Sequence, residues 1–459
     1  MMDRQRGSKY SVTGGLVREH SRASRASRAA RRSLPLLAAM LAAWGCTRPP
    51  AVAFDEQAED LGASTSVGAA PMFAIAPSGA RTVAWISAPD AGTDGRLYVS
   101  TDQAPTSELR DPLGGIEPHG ESPPKLEYAP DGTLFALYAV GRAEAGRRFP
   151  FTTLRLAASH DDGRTWDAPR TVGGDSVPGS RNFHALHAAA DGSLYVAWLE
   201  ARGGRTSATF LTHSTDGGAS WTPSVRVDEG ESCPCCRTAI ATSPDGTLYL
   251  AWRSVLTGSV RDIVVASSRD HGATWSAPVR VHADNFVFDG CPHAGPSLAV
   301  DPAGRVHIAW WTGREGAAGV YYARSDDGAR TFGPAVPLGV AGFARPAHAQ
   351  LRLGARGTVV VAWDDARTPL PRVTVRVSRD GGRSFGPGVV ASDSSMAATF
   401  PVLALRPDGL TLAWTQQSPA ARQAAQHAMP DMKDPTVTMP LPAVGAQTVM
   451  VRSGRLALQ

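Results

Sequence analysis

One thirteen-residue pattern returns seven times along this chain and constrains its fold more than any other feature. The copies are FAIAPSGARTVAW (73–85), LEYAPDGTLFALY (126–138), LHAAADGSLYVAW (186–198), IATSPDGTLYLAW (240–252), LAVDPAGRVHIAW (298–310), LRLGARGTVVVAW (351–363) and the one-shorter LALRPDGLTLAW (403–414). Each reads as two strands of period two around a Gly-containing turn, the signature of a β-hairpin. The terminal aromatics are 53, 60, 54, 58, 53 and 51 residues apart. A β-rich unit of about 50 residues cannot bury its apolar faces alone and predicts a propeller with one four-stranded blade per repeat. Seven hairpins predict seven blades; six remain open if one hairpin completes another blade.

The chain has 459 residues and a net charge of +4, but residues 1–45 hold nine Lys/Arg and two Asp/Glu, so the rest carries 4 − 7 = −3. A body that is mildly acidic has no basic footprint, and nucleic acid is not expected as a partner. Arg22, Arg25, Arg28, Arg31 and Arg32 precede an apolar run, Leu34 to Trp44, that ends in Gly45-Cys46. The run is too short to span a bilayer and suits a signal sequence. The small residue before a single Cys resembles a bacterial lipoprotein cleavage site. The expected organisation is a signal over 1–45, a lipidated Cys46 anchoring an exported protein to the cell envelope (outer membrane or periplasm), a flexible tether over 46–65 and a propeller over 66–459.

A second motif sits inside the repeats. Ser159, Asp161, Gly163, Thr165 and Trp166 form the first copy. Asp216, Asp270, Asp327 and Asp380 centre the others, and in the Asp327 copy Ala329 replaces the Gly. These segments resemble the Asp-box (BNR) repeats of the sialidase superfamily, over about 120 to 390. The resemblance implies an all-β propeller whose boxes close strands three and four on the face away from the active site. It also implies a sialidase-type glycoside hydrolase as one function. That chemistry needs three convergent arginines and a Tyr nucleophile. The family's arginine motif is absent, with RRFPF (147–151) the nearest string. Arg237, Arg345 and Arg367 near loop ends have no assigned place in a triad, and only Tyr128 is expected to face the axis.

Unusual residues gather ahead of the hairpins. Thirteen positions before the turn Gly stand His119, Cys233, Cys291 and Met396; eleven before stand Glu121, Arg181, Cys235 and His293; nine before stand Arg237 and His348. Shared parity would place them on one side of the strands that line the channel, at the mouth opposite the boxes. SCPCCR (232–237) and GCPHAGP (290–296) hold every cysteine after Cys46. Two readings stand. Cys233, Cys235, Cys236, Cys291 and His293, with His119 and Glu121, offer the soft ligands of a copper or zinc site with a binding or redox role. Alternatively, the cysteines pair as disulfides that staple adjacent blades, making a scaffold for a small-molecule, glycan or protein ligand. His427, Met429, Met432 and Met439 add thioethers that favour copper(I). His184 and His187 alternate on one strand as packing residues.

Overall fold

The computed structural model describes residues 51–457, except 66, 89–94, 103, 145–148, 174–178, 203–205, 342–344, 408 and 429–444. Seven antiparallel sheets follow one another along the chain. The innermost strands are Ala69–Ile75, Lys125–Tyr128, Asn182–Ala188, Ala239–Thr242, Ser297–Val300, Gln350–Leu353 and Ala397–Arg406. Each touches the next, and the last touches the first. The protein is a seven-bladed β-propeller, and the six-bladed alternative falls.

The ring closes in a way the repeat did not show. In the seventh blade Ala397–Arg406 and Gly409–Gln417 are followed by Thr448–Leu456, and the outermost strand comes from the other end of the chain. Val52–Phe54 pairs antiparallel with Leu456, Arg455 and Gly454, and Glu59–Asp60 pairs with Val451 and Met450. The expected tether over 46–65 is therefore corrected: much of it is hydrogen-bonded blade. Ladder bonds between the two chain ends make ring opening a cooperative loss rather than a fraying. Cys46 and the signal lie outside the described residues.

The repeat aromatics form the core. Trp85, Trp198, Trp252, Trp310, Trp363 and Trp414 are fully buried, and Tyr138 takes the same place in the second blade. Box aromatics pack between blades, as Trp221 does against the cluster around Leu156. All five boxes share one geometry. In the first, Ser159 Oγ accepts the Gly163 amide at 2.8 Å, and Asp161 accepts the Thr165 amide and hydroxyl at 2.8 and 2.7 Å. Ala329 holds the left-handed conformation that Gly holds elsewhere (φ 62°) and still donates to Ser325 Oγ at 2.9 Å. That backbone is costly for a residue with a Cβ, and the intact side-chain bonds of Asp327 hold it there.

These bonds predict acid behaviour. The hydroxyls of Thr165, Ser220, Thr274 and Thr331 hold Asp161, Asp216, Asp270 and Asp327 down to about 2, and Asp380 reaches the same value against its partial burial. A carboxylate whose folded pKa is depressed stabilises the fold above its unfolded pKa, near 4, and loses that contribution as pH falls towards 2. The thermal midpoint is expected to fall steeply over that window. Asp216→Asn should flatten the fall, and an unchanged acid profile would refute the assignment.

Candidate functional site

Within a blade the chain alternates direction, so the hairpin turns and the boxes share one face. The loops that lead into the innermost strands share the other. SCPCCR and GCPHAGP are two such loops, entering blades four and five. The structure corrects one expectation here. The innermost strands begin at Lys125, Ala239, Ser297 and Gln350. Cys233, Cys235, Cys291, His293, His119, Glu121, Arg237 and His348 therefore precede strands instead of lying on them, and strand parity does not order them.

The loops do bring the cysteines together. Cys233 Sγ lies 3.6 Å from Cys235 Sγ and 3.6 Å from Cys236 Sγ. All three are buried, against Phe183 and Val255. Cys235, Cys291 and His293 form a second triad; within each triad the ligating atoms lie inside 4.8 Å of one another. The second triad opens outward, since Cys291 and His293 are exposed. Cys233, Cys235, Cys236 and Cys291 are all free thiols, and the expected disulfides between adjacent blades are not formed.

Two arginines that the sequence reading passed over support this cluster. Arg261 Nη1 donates to Cys233 Sγ at 3.2 Å and Arg261 Nε to the Phe288 carbonyl at 2.6 Å. Arg253 is 1% exposed and ties four bonds onto three carbonyls: Arg261 at 2.7 Å, Ala294 at 2.8 and 3.3 Å, and Trp311 at 2.6 Å. It thereby ties the GCPHAGP loop to the blade that carries the other cysteines. Hydrogen bonds from Cys235 and Cys236 hold the Cys233 thiol well below its usual range, with Arg253 and Arg261 assisting. The same bond to Cys233 pushes Cys235 up, and burial pushes Cys236 up. One thiolate thus accepts from two thiols beneath a positive wall.

Beside the cluster, Glu121 spans the ring. It is 1% exposed; its carboxylate accepts Arg237 Nη1 and the Arg237 amide, both at 3.3 Å, and the Gly295 amide. Gly295 must be glycine there, because a Cβ would stand 2.3 Å from the Arg237 carbonyl oxygen. His348 donates to Asp364 at 2.6 Å and to the His293 carbonyl at 2.8 Å. Burial opposes its charge, yet Asp364 holds its pKa above the ordinary value. Since both ring nitrogens face acceptors, the ring carries both protons. Glu121 thus clasps the loops together with Arg237 and His348, and it joins neither triad.

The remaining candidates divide. His119 sits edge-on to Phe183, its ring 6.2 Å from that of His293, and burial pushes its pKa down to about 4. Its Nδ1 is buried with no hydrogen-bond partner, and it stands next to the second triad without joining it. Arg181 is elsewhere, 3.6 Å from Glu200 and over the Trp198 ring. Met396 is half-buried ahead of the seventh blade, outside both triads. Met429, Met432 and Met439 lie outside the described residues. His187 bonds Thr242 at 2.8 Å and His184 bonds Ser122 at 3.2 Å, as packing residues do.

The three arginines singled out in the sequence each have protein partners. Arg237 is clasped to Glu121, Arg367 pairs with Asp365, and Arg345 donates to the Thr368 and Pro369 carbonyls. Tyr128 is corrected too: its hydroxyl bonds Thr82 at 2.8 Å and Asp162 at 3.1 Å, on the box face and away from the cysteines. The axial cavity lined by Lys125, Glu127, Arg237, Gln350 and Arg352 is about 100 Å³. Small-molecule sites usually run to about 300–1,000 Å³.

Comparisons with known proteins agree with the fold. Residues 116–287 match the family model for a BNR repeat-like domain. An ulvan lyase of polysaccharide lyase family 25 superposes with a TM-score of 0.52 at 12% identity, over 78% of this chain and 94% of its own. A Hadza microbial sialidase gives 0.45 at 17% identity, over 71% and 72%. A protein of unknown function from Dyadobacter fermentans DSM 18053 gives 0.48 at 14% identity, over 85% and 95%. A search of curated proteins finds no match. At these identities the likeness is one of fold.

Proposed function

We propose that this seven-bladed propeller, whose residues 116–287 match a BNR repeat-like domain, is an exported, envelope-anchored protein holding a soft transition metal, copper(I) ahead of zinc. The carrying observation is the spacing of the sulfurs. Ligands about 2.3 Å from a tetrahedral ion stand about 3.8 Å apart, and the two measured separations from Cys233 are 3.6 Å. Thiolate ligands select copper(I) and zinc over harder ions. Cys233, Cys235 and Cys236 would hold the ion, with Cys291 and His293 grouped around Cys235 on the exposed side. Arg253 and Arg261 offset the negative charge that three thiolates leave on a monovalent ion. A buried all-sulfur site stabilises reduced copper, so the role is holding the metal rather than cycling its oxidation state. Cys46 would carry the lipid that keeps the protein at the membrane.

Elemental mass spectrometry on the protein exported with copper and zinc available, with a thiol count, tests this. About one metal per chain, lost in Cys233→Ser/Cys291→Ser, is the expected result. No metal and no titratable thiol would refute it and return the cysteines to disulfides.

A further inference from the structure

The two triads differ in one respect that a single static site does not need. Cys233 and Cys236 are 0% exposed and Cys235 is 4% exposed, while Cys291 and His293 face solvent. Cys235 belongs to both triads, with ligating atoms inside 4.8 Å in each. We propose that the site works in two stages. Cys291 and His293 form an exchange position that accepts copper(I) from a donor bearing thiolate or thioether ligands; Cys233 and Cys236 form the holding position; Cys235 carries the ion between them. The inference rests on the metal-holding reading above.

The chemistry is ligand exchange. A two- or three-coordinate copper(I) ion accepts an incoming ligand before it releases an outgoing one. From a three-coordinate donor complex, Cys291 Sγ forms a Cu–S bond and the His293 ring nitrogen a Cu–N bond as two donor sulfurs leave. Cys235 then binds as the last donor sulfur leaves, and Cys233 and Cys236 displace Cys291 and His293. Each bond formed is matched by one broken, and copper stays in the +1 state. Each thiol that binds gives up its proton, taken by the departing ligand or by water. No electron is transferred and no free ion is released.

The exchange loop is built for a fixed position. On the ring side of His293 the backbone is pinned: the His293 carbonyl by His348, the Ala294 carbonyl by Arg253 and the Gly295 amide by Glu121. His293 itself is held left-handed, at φ 49°, a conformation unfavourable for a residue with a Cβ. Residues held in such strained conformations concentrate at functional sites. Cys291 stands two residues further out, at the exposed end of this pinned segment.

Transfer of copper(I) from its coloured bicinchoninate complex reads rate and affinity in one absorbance experiment. Cys291→Ser/His293→Ala is expected to slow transfer by roughly tenfold or more while changing affinity by less than roughly threefold. Cys236→Ser should do the reverse, losing roughly tenfold or more in affinity and loading at the parental rate. Cys235→Ser should lose both. His293→Cys, which restores a soft ligand, should load at close to the parental rate; this guards against a merely structural effect of the double variant. Parental loading by Cys291→Ser/His293→Ala, or an affinity loss equal to that of Cys236→Ser, would overturn the two-stage site and leave metal holding intact. A parent protein that takes no copper from the complex would overturn the metal-holding reading itself.

Discussion

Glu121→Leu is expected to unfold with about 3–5 kcal/mol less stability than the parent at neutral pH. The variant leaves the Arg237 guanidinium, 5% exposed as a residue, with only the Ala349 carbonyl as a partner, at 3.1 Å. It also strips the acceptor from two backbone amides, Arg237 and Gly295. Buried charge left unpaired costs more than the pair contributed, so Glu121→Leu/Arg237→Met should recover most of the loss. It should not recover all of it, because the two amides remain unpartnered at about 1–3 kcal/mol each before relaxation. Chemical denaturation of both variants in the presence of a chelator measures this. A single variant within about 1 kcal/mol of the parent, or a double variant worse than the single, would show that Glu121 does not clasp the mouth.

Arg253→Leu is the second large effect, expected at about 3–5 kcal/mol. Here the charge goes with the residue, so the cost lies in what it leaves behind. The Arg261, Ala294 and Trp311 carbonyls lose their donor in a site that water reaches poorly. Ala294 adjoins His293, so the same change should free the GCPHAGP loop and slow copper(I) loading by roughly tenfold or more, as loss of support around ligands commonly does. Arg253→Lys keeps the charge but not the planar fork, and should recover little of either. Hydrogen exchange at residues 290–296 reads loop release directly, and unaltered protection in Arg253→Leu would sink the argument.

Both residues show what was legible in the chain. Arg253 interrupts LYLAWRSV, an apolar strand, and a charge there signals a buried partner. Which partner could not be read, since its acceptors are backbone carbonyls of Ala294 and Trp311 in the next blade. Glu121, grouped in sequence with the ligands, bonds Arg237 and the Gly295 amide. A carboxylate beside cysteines looks the same in sequence whether it meets a metal or an arginine 116 residues away. The disulfide expectation followed from composition and compartment, and the structure has the four cysteines as free thiols. The closing strand Val52–Phe54 is three residues long, too short for any period to show.

What the chain determined by itself is everything that repeats. Alternating hairpins, a buried aromatic at each hairpin end and self-contained box turns are local, set by side chains within a few residues of one another. Seven blades follow once each must bury two faces. What only the tertiary structure decided is everything that happens once. The meeting of Cys235 with Cys291, the span of Glu121 across the ring and the pairing of Val52–Phe54 with Thr448–Leu456 depend on loop paths and ring closure. Those contacts join residues tens to hundreds of positions apart, and no local preference encodes a distance of that kind.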